Sequence, residues 1–209
     1  MKKLITTCIF TLMLAANSNV FAANPKVQME TTKGTVVIEL FADKAPKTVE
    51  NVLRYVNAGK YDGTIFHRVI EGFMNQGGGF TPDFKKVETF APIQNEADNG
   101  LKNKRGTIAM ARTGDPHSAT NQFFINTVDN INSNASTPSL DYTSKTPRGW
   151  GYCVFGSVVD GMDVMDRIAR VQTGAGGPFQ RDVPQEEILI LKVSVIETAP
   201  RPQPPSMLE

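Results

Sequence analysis

The chain has 209 residues, enough for one sizeable core, and its 40% hydrophobic and 21% charged residues exclude a disordered or fibrous protein. A formal charge of +1 excludes bulk attraction to nucleic acid or to anionic membrane. Two His and two Cys nearly exclude a zinc cluster by count alone.

Met1-Lys2-Lys3 is a short positive start, and Leu4 to Ala16 is an apolar run broken only by three Thr and one Cys. Asn17-Ser18-Asn19 ends the run, and Val20-Phe21-Ala22 has the small residues of a cleavage triplet. Residues 1–22 are therefore predicted to be a signal peptide of bacterial type. The run is shorter than the ~20 apolar residues of a spanning helix, so no stable membrane insertion is expected. Cleavage after Ala22 removes Lys2, Lys3 and Cys8, leaving a charge of −1 and one thiol, Cys153. The expected product is periplasmic or secreted, and monomeric, without an internal disulfide.

In what remains, Lys26–Thr32 and Thr35–Phe41 alternate around Lys33-Gly34, which reads as a β-hairpin with Val27, Met29, Val36, Ile38 and Leu40 inward. Val49, Val52, Leu53 and Val56 form one stripe of a helix over Pro46–Ala58, with Gly59 at its C-terminal end. Strands are expected over Thr64–Ile70, Gly72–Gln76, Thr107–Arg112, Gln122–Asn126 and Val154–Val159. Asp160 is placed to cap a second helix, Met162–Val171, with Met162, Met165, Ile168 and Ala169 on its apolar side. Ile188–Glu197 alternates through Leu189, Leu191, Val193 and Val195 as the last strand. Asn130–Gly149 is polar and reads as a long exposed loop. The fold class is thus mainly β: a closed eight-stranded antiparallel barrel capped by two α-helices. The domain spans 23–198, and 199–209, with four Pro, is a flexible tail.

The chemistry is densest in Phe66–Phe80. Alternation puts Phe66, Arg68 and Ile70 on one strand face, and Met74 and Gln76 on one face after Gly72. A cation among apolar side chains needs a partner or a ligand. A phosphate loop at Gly77-Gly78-Gly79 lacks the Gly-Lys-Ser/Thr continuation and the following helix. His67 has no nucleophile beside it, so a structural hydrogen-bonding histidine is favoured over a catalytic base. A binding surface with one cation set among Phe and Met is the third reading.

This segment, Phe66-His67-Arg68 followed by Gly72-Phe73-Met74-Asn75-Gln76-Gly77-Gly78, resembles the signature of the cyclophilins, the peptidyl-prolyl cis/trans isomerases. Arg105–Arg112 with Asn121–Asn126, and Gly149–Gly156 running into Val159–Val164, resemble two further family motifs in the same order. The likeness extends from about Val27 to Ile196, and the third motif is most similar to bacterial members. It implies the barrel already read from the pattern, with Arg68 as the catalytic residue. Phe73, Met74, Phe124 and Leu140 correspond to the pocket for the proline ring. Gln76, Gln122 and the backbone at Ala111 and Arg112 correspond to groups that hold the peptide, and Tyr152 to the pocket rim. The implied partners are proline-containing polypeptides, with no metal and no cofactor. A proline-peptide-binding module without turnover is the competing class, and Arg68 favours the enzyme.

One departure stands out. Many cyclophilins carry Trp just before the residue matched by Leu140, a residue associated with cyclosporin binding; here the place holds Ser139, next to an apparent insertion, Ile131–Pro138.

Overall fold

The computed structural model describes residues 24–131 and 139–196. The expectations for the signal peptide, the tail and residues 132–138 lie outside them.

The first hairpin forms as the alternation predicts. β1 (Lys26–Thr31) and β2 (Gly34–Leu40) pair antiparallel, with Val27, Met29, Val36, Ile38 and Leu40 buried. Six further strands complete the barrel: β3 (Thr64–Ile70), β4 (Met74–Gly77), β5 (Thr107–Met110), β6 (Phe123–Asn126), β7 (Val154–Asp160) and β10 (Leu189–Ile196). They close in the order β1-β10-β3-β4-β6-β5-β7-β2, all antiparallel, as expected from the strand count. Ile38, Phe66, Ile108, Ile125 and Phe155 fill the interior.

Helix α1 (Pro46–Asn57) buries Val49, Val52 and Val56 together with Tyr55, so the predicted stripe packs on the barrel. Its N-terminal N–H groups are capped from far along the chain. Glu96 accepts from the N–H groups of Lys47 at 3.2 Å and Thr48 at 2.8 Å, placing a carboxylate on the positive end of the helix. Helix α2 (Met162–Ala169) buries Val164, Met165, Ile168 and Ala169. The expected cap, Asp160, is not the cap. Gly161 takes that position at φ +82°, and a Cβ there would lie 2.4 Å from the Thr35 carbonyl oxygen, so only glycine lets β2 pass this close. No helix among the described residues is long and apolar enough to cross a membrane.

Three other expectations change. In β10 the register slips between Glu30 and Thr31 of β1, leaving Leu191 as an extra, unpaired residue. The bulge moves the inward face from Ile188 and Ile190 on one side of it to Val193 on the other and leaves Leu191 exposed; Val195, near the strand's end, is exposed as well. Residues 172–187 carry an unanticipated two-stranded sheet, β8 (Thr173–Gly176) and β9 (Phe179–Pro184). Finally, the stretch from Asn130 to Gly149 is not an exposed loop throughout. Asn130, Leu140, Asp141 and Gly149 are buried, and among the described residues of this stretch Thr143 to Arg148 form the exposed run. The reason is polar satisfaction: buried Asn103 donates its side-chain amide to the Leu140 carbonyl at 3.1 Å, and its backbone N–H to Asp141 at 2.8 Å.

Candidate active site

Strand alternation gives this barrel wall two faces. On β6, Phe123 and Ile125 enter the barrel core, whereas Phe124 joins a second apolar cluster outside it with Met74, Ala109, Leu140 and Val154. β3 supplies the polar component. Phe66 pairs with Gly77 and Arg68 with Gln76, so His67 is the extra residue of a bulge. The expectation that Phe66 shares the face of Arg68 is therefore incorrect. The bulge turns Phe66 into the core and leaves Arg68 and Ile70 on the outer side.

A pocket of about 190 Å³ opens on that outer cluster. Arg68, Phe73, Met74, Gln76, Ala111, Arg112, Phe124, Leu140 and Tyr152 line it. Met74, Phe124 and Leu140 are buried in its floor. Gln122, the remaining expected residue, is not in the pocket lining but reaches it through Gln76: the Gln76 amide donates to Gln122 Oε1 at 3.0 Å, while Arg68 Nη1 donates to Gln76 Oε1 at 3.3 Å. Ala111 is fixed by its N–H donating to the Gln122 carbonyl at 2.9 Å. Tyr152 meets Phe124 edge-on at 5.5 Å, and the Arg112 guanidinium stacks 4.8 Å above the Tyr152 ring. Arg112 Nε also donates to the Gly151 carbonyl at 2.9 Å.

Leu140 reaches the pocket through its backbone. Its N–H donates to Asn130 O at 3.0 Å, and its carbonyl accepts from Tyr152 N–H at 2.8 Å. Gly151 at φ +63° makes this possible, because a Cβ there would sit 2.5 Å from the Asp141 carbonyl carbon.

Sequence reasoning missed Asp182 on β9, whose carboxylate lies 3.6 Å from Arg68 Nε. A hairpin signal was present in Gly176-Gly177, flanked by Thr173 and Phe179, but nothing in the pattern of either strand aims Asp182 at β3.

His67 does not line the pocket. Its ring is buried against Phe80 at 4.7 Å and Phe179 at 5.7 Å, and Nδ1 has no hydrogen-bond partner. Burial pushes its pKa down to about 4. The folded state therefore binds this proton less readily than the unfolded chain, whose His titrates near 6.5. The stability held by neutral His67 is complete above about pH 6.5 and is lost as pH falls toward 4, by roughly 3 kcal/mol. Urea unfolding between pH 7 and 4 is expected to show this loss, and His67→Phe should remove that share of the pH dependence. An equal pH dependence in both proteins would contradict the assignment.

Comparison with known proteins places these features in context. The family model for "Cyclophilin type peptidyl-prolyl cis-trans isomerase/CLD" matches residues 26–195. Peptidyl-prolyl cis-trans isomerase B of Escherichia coli (strain K12) is 58% identical over 171 residues, covering 82% of this chain and 99% of that protein. Peptidyl-prolyl cis-trans isomerase cyp18 of Streptomyces antibioticus is 56% identical over 170 residues, covering 81% and 98%. Peptidyl-prolyl cis-trans isomerase A of Dickeya dadantii (strain 3937) is 48% identical over 198 residues, covering 94% and 98%. Among solved structures, a Cryptosporidium parvum cyclophilin type peptidyl-prolyl cis-trans isomerase superposes with a TM-score of 0.59 at 26% identity, covering 84% of this chain and 99% of that one. A second structure of that protein, in the presence of the dipeptide Ala-Pro, gives a TM-score of 0.57 at 26% identity, covering 83% and 99%.

Proposed function

The chain belongs to the cyclophilin-type peptidyl-prolyl cis/trans isomerases, and from this premise we propose that it turns over X–Pro bonds in exported polypeptides with Arg68 as the catalytic donor. The observation that carries the proposal is the position of Arg68 at the edge of an apolar pocket floored by Met74, Phe124 and Leu140.

Rotation about an X–Pro bond breaks no covalent bond but must surmount the ~18–20 kcal/mol that partial double-bond character imposes. The pocket holds the pyrrolidine ring against Phe73, Met74, Phe124 and Leu140, away from water. Gln76, Gln122 and the backbone at Ala111 and Arg112 hold the adjoining peptide, and Tyr152 closes the rim. As the amide twists, resonance is lost and the nitrogen lone pair, shared with the carbonyl in the planar amide, localises on the prolyl nitrogen. An Arg68 N–H then finds an acceptor that the planar amide does not offer. The hydrogen bond is strongest in the twisted state, which is differential binding of the transition state. The Ala-Pro dipeptide named with the Cryptosporidium structure supports a proline-containing substrate here.

Export is supported by the Lys2-Lys3 start, the apolar run Leu4–Ala16 and the small residue Ala22. Cys153 suits an oxidising compartment: its thiol is buried and pushed up to about 12 by that burial, which keeps it protonated and unreactive. The test is a proline-limited refolding assay, with mass spectrometry, on protein recovered outside the cytoplasm. Active isomerase starting at Ala23 with a single free thiol is expected. Material retained on membranes with Met1 in place would refute export.

A further inference from the structure

We infer that Asp182 is a positioning residue for Arg68, and that the β8–β9 hairpin exists in part to hold it there; the inference rests on Arg68 being the catalytic donor. Two observations converge. The first is the pairing itself. Asp182 Oδ2 lies 3.6 Å from Arg68 Nε, while Gln76 accepts from Nη1 at 3.3 Å. The Gln76 contact is a hydrogen bond and the Asp182 contact an ion pair longer than one, on an arginine 41% exposed; together they favour one orientation of the guanidinium and leave Nη2 for a substrate nitrogen.

The second observation is how the hairpin fixes Asp182. Its backbone is at φ +67°, and the only other non-glycine residue at positive φ among the described residues is Phe84. Asp tolerates this region better than most residues, but the conformation persists only where its surroundings dictate it. Those surroundings are visible on both sides. Phe179 packs against Phe80 at 5.3 Å and on His67 at 5.7 Å, and Val183 is buried. Gly177 passes so close to the Phe84 ring that a Cβ would lie 2.2 Å from it. Asp182 is thus suspended between two anchored residues, with its side chain 23% exposed. The competing cation, Arg181, is 3.7 Å away, but its side chain is 86% exposed and its pull is screened by water.

A carboxylate beside a catalytic cation subtracts from its field, so the pairing does not serve charge. It serves direction: a long, flexible side chain aimed at a nitrogen that becomes an acceptor only in the twisted state gains from having its rotamers fixed beforehand. The contribution belongs to the step of rotation and not to peptide binding.

The experiment uses Asp182→Asn, which removes the charge and fits the same backbone, and Asp182→Gly, which removes the side chain and accepts positive φ without strain. In a peptide isomerisation assay Asp182→Gly is expected to lower kcat by about three- to ten-fold with KM within about two-fold. Asp182→Asn should lie between it and the unmodified protein. In an Arg68→Ala background the same substitutions should change nothing, because the partner they act through is gone. An unchanged kcat in Asp182→Gly overturns the inference while leaving Arg68 in its role. So does an equal loss in the Arg68→Ala background, since the hairpin would then act without the arginine. Near-normal turnover in Arg68→Ala itself overturns the catalytic reading, and the inference with it.

Discussion

Arg68→Ala is expected to lower turnover by at least about ten-fold while the protein stays folded and still binds proline peptides. The fold should survive because Arg68 faces outward from β3, and its contacts, Gln76 and Asp182, are themselves partly exposed. Binding should survive because Met74, Phe124 and Leu140, the proposed ring-binding residues, belong to an apolar cluster that does not include the arginine. In the proposed mechanism, what is removed is a hydrogen bond made only when the amide twists. A charge-assisted bond of ~1.5–3 kcal/mol accounts for one to two factors of ten. The reading is checked by kcat and KM measured separately, alongside a melting curve. Loss confined to KM would mean that Arg68 binds the planar peptide, and near-normal turnover in a folded variant would remove it from the mechanism.

The other large effect concerns cyclosporin. The resemblance to cyclophilins associates drug binding with a rim Trp, and this chain has Ser139 at that place. The structure places Leu140 in the pocket and Ser139 beside it, with the Ser139 hydroxyl donating to the Ile131 carbonyl at 2.9 Å and accepting from Asp141 N–H at 3.2 Å. A serine committed to backbone hydrogen bonds offers a drug neither an aromatic face nor an indole N–H. The missing contacts amount to ~2–4 kcal/mol, or roughly thirty- to several-hundred-fold in affinity. The protein is therefore expected to be an active isomerase with weak cyclosporin sensitivity. Ser139→Trp should tighten the drug more than it alters turnover, at a stability cost of ~1 kcal/mol for the lost turn bonds. Titration of both proteins with the drug checks this, and tight inhibition of the unmodified chain would show that another residue takes the place of the Trp.

Much of the barrel was legible because alternation is a local property: each of Val27, Met29, Val36, Ile38 and Leu40 is buried where a period of two puts it. The failures share one cause. At His67 and at Leu191 the faces reverse because a neighbouring strand imposes a bulge, and the sequence of one strand does not record the register of its partner. The same holds for Asp182, which meets Arg68 only after β8 and β9 have folded back over β3. It holds also for Asn103, whose hydrogen bonds draw Leu140 and Asp141 out of a stretch that reads as exposed loop. The pocket residues other than Leu140, by contrast, were found by their likeness to three family motifs, where the bulge at His67 does not disturb the order of residues; Leu140 lies between motifs and was placed by the register of Ser139-Leu140-Asp141.

Phe124 looks outward and Phe123 and Ile125 look inward from the same four-residue strand, so the pocket and the barrel interior take opposite sides of a single wall. A substitution on the outer side alters the pocket and its own apolar cluster while Phe123 and Ile125 stay packed in the barrel interior. One on the inner side can harden the barrel without touching a substrate. Selection on what the pocket accepts and selection on the barrel interior can then act on separate residues of one strand. In the laboratory the half-exposed polar residues of the outer side, Arg68 and Gln76, are the clean places to measure catalysis, since Met74 and Phe124 beside them are as buried as the barrel core and their loss would lower the melting temperature as well.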